Sequence, residues 1–75
     1  MKKLFDAIIE VFPDFDENTY YEDMPLKEIP DWDSMNSVNL QMAIEDRYNF
    51  TLDENAPLMG ENTIKQLYEY IQQER

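Results

Sequence analysis

Seventy-five residues confine the chain to one domain, 1–75, around one small core, because a chain this short buries only about 60–65% of its unfolded surface. Seventeen acidic side chains against six basic ones give a formal charge of −11, which repels phosphate backbones and attracts proteins bearing a basic patch, so nucleic acid is not an expected partner. Cysteine and histidine are both absent, which removes disulfides, thiolate zinc sites and the commonest nucleophile, general base and metal ligand; neither catalytic residues nor a metal site are expected.

The opening Met1-Lys2-Lys3-Leu4-Phe5 has the basic start of a signal peptide, but Asp6 and Glu10 interrupt the apolar stretch and no small-residue cleavage site follows. It reads instead as a helix. Leu4, Phe5, Ile8, Ile9, Val11 and Phe12 fall mostly at three- and four-residue spacings, and Pro13 ends the pattern by removing a backbone donor and disfavouring a helical residue before it. No run approaches the roughly 20 apolar residues that span a bilayer, so a cytoplasmic, soluble monomer is expected. Hydrophobic residues at 43% and aromatics at 13% are too plentiful for a purely solvated chain.

Residues 13–33 hold Pro13, Pro25 and Pro30, a dense set of acids, and the apolar anchors Tyr20, Tyr21, Met24, Leu26, Ile29 and Trp32. This is a long loop that packs, and loops beyond about 12–15 residues in compact domains tend to be functional. Asp14, Asp16 and Asn18 echo the first half of an EF-hand calcium loop, but Thr19 stands where that loop needs glycine and Pro25 where it needs a bidentate glutamate. The aromatic group Tyr20, Tyr21, Trp32 and Phe50 reads as core rather than as a stacking platform for bases.

From Ser34, Met35, Val38, Met42 and Tyr48, joined by Leu40, Ala43 and Ile44, describe one broad apolar stripe of a helix, with Asn49 suited to its exit. Phe50 and Leu52 have no second strand to pair with and read as loop. Residues 54–59 are expected to make one helical turn, Gly60 to form a turn, and Thr63 with Gln66 to form a capping box opening a final helix through Ile64, Leu67, Tyr68 and Ile71. The fold class is all-α: a small four-helix bundle of three longer helices and one short one, with a long loop between the first two.

One hydroxyl stands apart in this pattern. Ser34 follows an acid, sits at a helix start and closes a proline-bearing loop. Serine is among the best N-caps, which is the plain structural reading. A helix N-terminus also offers unpaired amides and a positive dipole end that suit an attached phosphate. Both readings stand on the sequence.

The stretch Asp33-Ser34-Met35-Asn36-Ser37-Val38-Asn39-Leu40-Gln41-Met42-Ala43-Ile44-Glu45-Asp46-Arg47-Tyr48 resembles the acyl carrier protein family. The family motif is Asp-Ser-Leu, then polar, polar, Val, acidic, Leu, an apolar stretch, Glu-x-x-Phe and a short loop. The resemblance covers essentially the whole chain, including Thr63-Ile64 and Tyr70-Ile71 in the family's last helix. It implies a stand-alone, non-catalytic carrier whose Ser34 receives phosphopantetheine from coenzyme A through a phosphopantetheinyl transferase. The arm's thiol would then hold acyl groups as thioesters. Partners would be acyl-loading and acyl-processing enzymes with basic docking patches.

By position, Asp33 holds the motif's acid, Met35 its leucine, and Met42 an apolar residue bordering the cargo pocket. Asp33, Met35, Asn36, Val38, Asn39, Met42, Glu45 and Asp46 would form the partner-binding surface, with Glu45 and Asp46 its partner-facing acids. Asn36 and Asn39 stand where the family usually has acids, Trp32 replaces a small or polar residue, and Asp31 takes the place of the usual glycine two positions before the acid. These departures imply a carrier for a specialised biosynthetic pathway. Aminoacyl and D-alanyl carriers share the fold, the latter also with aspartate before the serine. An unmodified acidic helical interaction module is the more distant alternative.

Overall fold

A computed structural model describes residues 1–74, and among these the regular elements are all helical: α1 Lys2–Val11, α2 Ser34–Tyr48 and α3 Ile64–Glu74. Two single 3-10 turns, Glu17–Thr19 and Leu26–Glu28, lie in the long loop between α1 and α2. The helical turn expected at 54–59 does not form, so three α-helices are seen rather than four. Its amides go elsewhere: Asn55 N–H donates to Asp53 Oδ1 (2.8 Å) and Ala56 N–H to Asp53 O (3.1 Å). A first α-turn beginning at residue 54 would need an N–H from residue 57 to Asp53 O, which Pro57 lacks, and Leu58 N–H is spent on Ala56 O (2.9 Å).

α1 buries Leu4, Ala7 and Ile8, and Phe12 just beyond its end is also fully buried. Leu4, Ile8 and Phe12, wholly removed from water, contribute about 1.5–3 kcal/mol each. Phe12 N–H still bonds Ile8 O (2.7 Å), after which Pro13 stops the helix. α3 adds Ile64, Leu67 and Ile71, and its capping box is reciprocal: Gln66 N–H donates to Thr63 Oγ1 (3.0 Å) and Thr63 N–H to Gln66 Oε1 (2.9 Å).

The long loop is fastened along its length. Phe15 and Tyr20 close on Phe5 with ring centroids 5.8 and 5.3 Å away, and Met24, Leu26 and Ile29 enter the core. Trp32 stacks on Phe12 at 5.6 Å, tying the approach to α2 onto the exit from α1. The loop is also stitched to the segment before α3: Leu26 N–H donates to Asn62 O (2.8 Å), Lys27 N–H to Gly60 O (3.0 Å) and Ile64 N–H to Met24 O (3.1 Å). Gly60 serves this approach, since a Cβ there would lie 3.3 Å from both Lys27 Cβ and Trp32 Nε1.

α2 departs from the single stripe read in its sequence. Leu40, Ala43, Ile44 and Tyr48 are buried, whereas Met35, Val38 and Met42 are 80%, 56% and 61% exposed. At about 100° per residue the two sets lie on opposite faces, so α2 carries two apolar stripes, one inside and one facing water. Asn49, at φ 60° and ψ 45°, ends the helix in the left-handed conformation that asparagine tolerates. No described helix is long and apolar enough to cross a membrane.

Candidate functional site

Ser34 is the first residue of α2, and it is not the cap. Asp33 occupies that position in extended conformation and its Oδ1 accepts from Asn36 N–H at 2.7 Å. The local sequence offers two good caps in a row, and the acid takes the role. Ser34 is exposed, and its Oγ makes no hydrogen bond among the described residues; only its carbonyl is engaged, accepting from Ser37 Oγ at 2.6 Å. The backbone N–H groups of Ser34 and Met35 likewise find no acceptor among the described residues, as expected in a helix's first turn.

The approach to the serine is tightly specified. Asp31 adopts φ 69°, a left-handed conformation to which glycine is indifferent and which aspartate adopts at some cost. Asn36 Nδ2 donates to Asp31 O (3.4 Å), and Asn39 Nδ2 donates to Asn36 Oδ1 (3.2 Å), so the two asparagines brace the entrance. Trp32, half-buried on Phe12, anchors the residue between Asp31 and Asp33.

The remaining surface of α2 divides in two. From Ser34 to Ile44 there is no charged side chain, and Met35, Val38 and Met42 stand exposed at i, i+3 and i+7. Asp46 is exposed beyond them, but Glu45 is half-buried and its Oε2 accepts from Leu52 N–H at 2.8 Å. That contact gives Glu45 a part in holding the loop after α2. Met42 lines an open groove of about 970 Å³ with Glu10, Val11, Asn39, Asp46 and Phe50. At about 100° per residue the α2 positions that line this groove spread around the helix, from Glu45 close to Ser34's direction through Met42 to Ala43 on the opposite side.

Two features lacked a sequence signal. Tyr20, Tyr21 and Tyr68, scattered through the chain, meet at a second hollow of about 550 Å³, and Tyr21 is 48% exposed rather than core. Asp16, from the calcium-like stretch, caps a 3-10 turn by accepting from Asn18 N–H (2.9 Å). Comparison of the chain with protein-family models, curated proteins and solved structures finds no match.

Proposed function

We propose that this protein is a stand-alone acyl carrier, holding acyl groups as thioesters on a phosphopantetheine arm joined to Ser34 Oγ. The observation that supports this most is the division of labour at the entrance of α2. Asp33 satisfies the helix, which leaves an exposed hydroxyl without an intramolecular partner beside two unpaired amides. A phosphodiester at Ser34 fits that chemistry, since the first-turn N–H groups and the helix dipole favour an anion there. When bound, the arm supplies a thiol, a nucleophile this cysteine-free chain lacks.

The chain's own residues prepare and present that position. Asp33 takes Asn36 N–H, Trp32 on Phe12 fixes the approach, and the left-handed Asp31 makes the turn where the family has glycine. In this reading residues 53–62 fill the place of the family's short fourth helix, and α2 faces the partner enzymes. Its centre is apolar and neutral, with acids only towards its ends, Asp31 and Asp33 before it and Glu45 and Asp46 near its exit. Docking then rests on apolar contact through Met35, Val38 and Met42, with basic groups on the partner meeting the flanks. Aspartate at position 33 suits acyl and D-alanyl cargo alike.

A second reading draws on the exposed stripe itself. An unmodified interaction module would insert Met35, Val38 and Met42 into a partner's apolar groove, with Ser34 serving no covalent role. One experiment separates the two: the purified chain and Ser34→Ala are each incubated with coenzyme A and a promiscuous phosphopantetheinyl transferase, and intact masses recorded. The carrier reading predicts one added arm on the wild type and none on Ser34→Ala; unchanged mass for both supports the module.

A further inference from the structure

The chain has five methionines and no cysteine, so every sulfur atom in it is a thioether. Their surroundings differ sharply. Met24 is 4% exposed within the core and Met1 is half-buried against it, whereas Met35, Met42 and Met59 are 80%, 61% and 63% exposed. Oxidation of such a sulfur follows its access to the oxidant, so three of them are open to a dissolved peroxide and Met24 is shielded.

Two of the three lie together. Met35 and Met42 are seven positions apart on α2, two turns of helix, so they project within about 20° of one another with exposed Val38 between them. Neither helps to hold the fold, since α2 meets the core through Leu40, Ala43, Ile44 and Tyr48, and its first turn is capped by Asp33. A sulfoxide turns a flexible apolar side chain into a polar one with an acceptor oxygen. On this face it leaves the core and the cap untouched and alters what α2 offers to a partner. Met59 provides an internal comparison, because it is equally open but lies off α2, in the segment where its N–H donates to Asn62 Oδ1 (3.2 Å).

We propose that Met35 and Met42 are sites of reversible oxidation by peroxides, and that their sulfoxides turn off docking on the exposed face of α2. In this step a sulfur lone pair attacks one peroxide oxygen, the O–O bond breaks, and water or an alcohol leaves; sulfur loses two electrons and the peroxide gains them. Reversal takes a sulfoxide reductase, two of whose thiols become a disulfide while the oxygen leaves as water. The effect on docking rests on the carrier reading, in which partners meet α2 through Met35, Val38 and Met42; the selectivity of the oxidation does not. An apolar partner surface covers the thioethers favourably, but over the sulfoxides it buries two oxygens that have lost their water and gained no donor.

The test treats the purified, unarmed chain with hydrogen peroxide and locates the added oxygens by peptide mass spectrometry. Met35, Met42 and Met59 are expected to oxidise at least about tenfold faster than Met24, with the melting temperature shifted by less than about 4 °C. Arm transfer from coenzyme A by a promiscuous phosphopantetheinyl transferase is then expected to show a KM for the protein raised about tenfold, restored by sulfoxide reductases acting on both epimers. Met35→Leu combined with Met42→Leu keeps the face apolar and should hold KM within about twofold before and after peroxide, whereas Met59→Leu should give no protection. Met24 oxidising as fast as Met35, an oxidised wild type with unchanged KM, or protection by Met59→Leu each overturns the proposal. An untreated chain that takes no arm overturns the carrier reading instead. Retention on a phenyl resin then decides the switch: oxidation should lower it in the wild type and not in the double leucine variant, and equal retention before and after overturns the proposal.

Discussion

α2 and α3 both open on a residue with a hydroxyl, and the two hydroxyls meet opposite fates. At α3, Thr63 Oγ1 accepts from Gln66 N–H (3.0 Å) and is consumed by the helix it starts. At α2, Asp33 Oδ1 accepts the corresponding bond from Asn36 N–H (2.7 Å), and Ser34, displaced one position into the helix, keeps its hydroxyl free. The residue before α3's threonine is Asn62, whose side chain is turned to Met59 N–H (3.2 Å) and Gln66 Oε1 (3.3 Å). The difference teaches that an acid immediately before a serine can spare that serine from structural duty.

The comparison breaks most visibly if the two hydroxyls are removed in turn. Thr63→Ala should cost about 1–2 kcal/mol by chemical denaturation, as loss of a working cap does, whereas Ser34→Ala should cost less than about 0.5 kcal/mol. Equal costs would mean that Ser34 shares in holding its helix. Asp33→Ala should behave like Thr63→Ala, at about 1 kcal/mol, with the loss confined to α2's first turn. Asp31→Gly acts in the opposite direction: relieving a left-handed aspartate should stabilise the folded state by about 0.5–1 kcal/mol, read as a rise in melting temperature. A fall would show that the Asp31 side chain makes a contribution of its own.

The smallest effect concerns the clamp between the long loop and α3. The Lys65 hydrogen bond holds the Glu22 carboxyl below its ordinary value, and Glu22 holds Lys65 above its own. A depressed carboxyl contributes stability above pH 4.5 that is lost as pH falls through its folded value; a raised lysine contributes stability below pH 10.5 that is lost as pH rises. Glu22→Gln should therefore lower the melting temperature slightly between about pH 5 and pH 10 and leave it unchanged at both extremes. A difference that persists at pH 3 would place the effect outside this pair.

Much of the scaffold was legible because its signals are local. Pro13 ends α1, Asn49 ends α2, and Thr63 with Gln66 opens α3, each through chemistry contained within a few residues. The helical turn expected at 54–59 failed because Pro57 has no N–H to return to Asp53 O, and Leu58 N–H bonds Ala56 O (2.9 Å) instead. The stitching of Met24 and Leu26 to Ile64 and Asn62 left no trace, since isolated pairings across nearly forty positions carry no periodicity. In α2 the apolar residues were correctly found, but two opposed stripes sum to a pattern that looks like one broad face. The helix start at Ser34 was read correctly; which of two adjacent capping residues does the capping depended on backbone geometry one position wide.

That one position is open to direct measurement. Amide hydrogen exchange at Asn36, followed in the wild type, Ser34→Ala and Asp33→Ala, reports which side chain holds the first turn of α2. Ser34→Ala should leave the Asn36 rate unchanged, while Asp33→Ala should raise it by about fivefold, the equivalent of one lost cap. Faster exchange in Ser34→Ala with no change in Asp33→Ala would show that the serine is the cap, and the free hydroxyl on which the carrier reading rests would not exist.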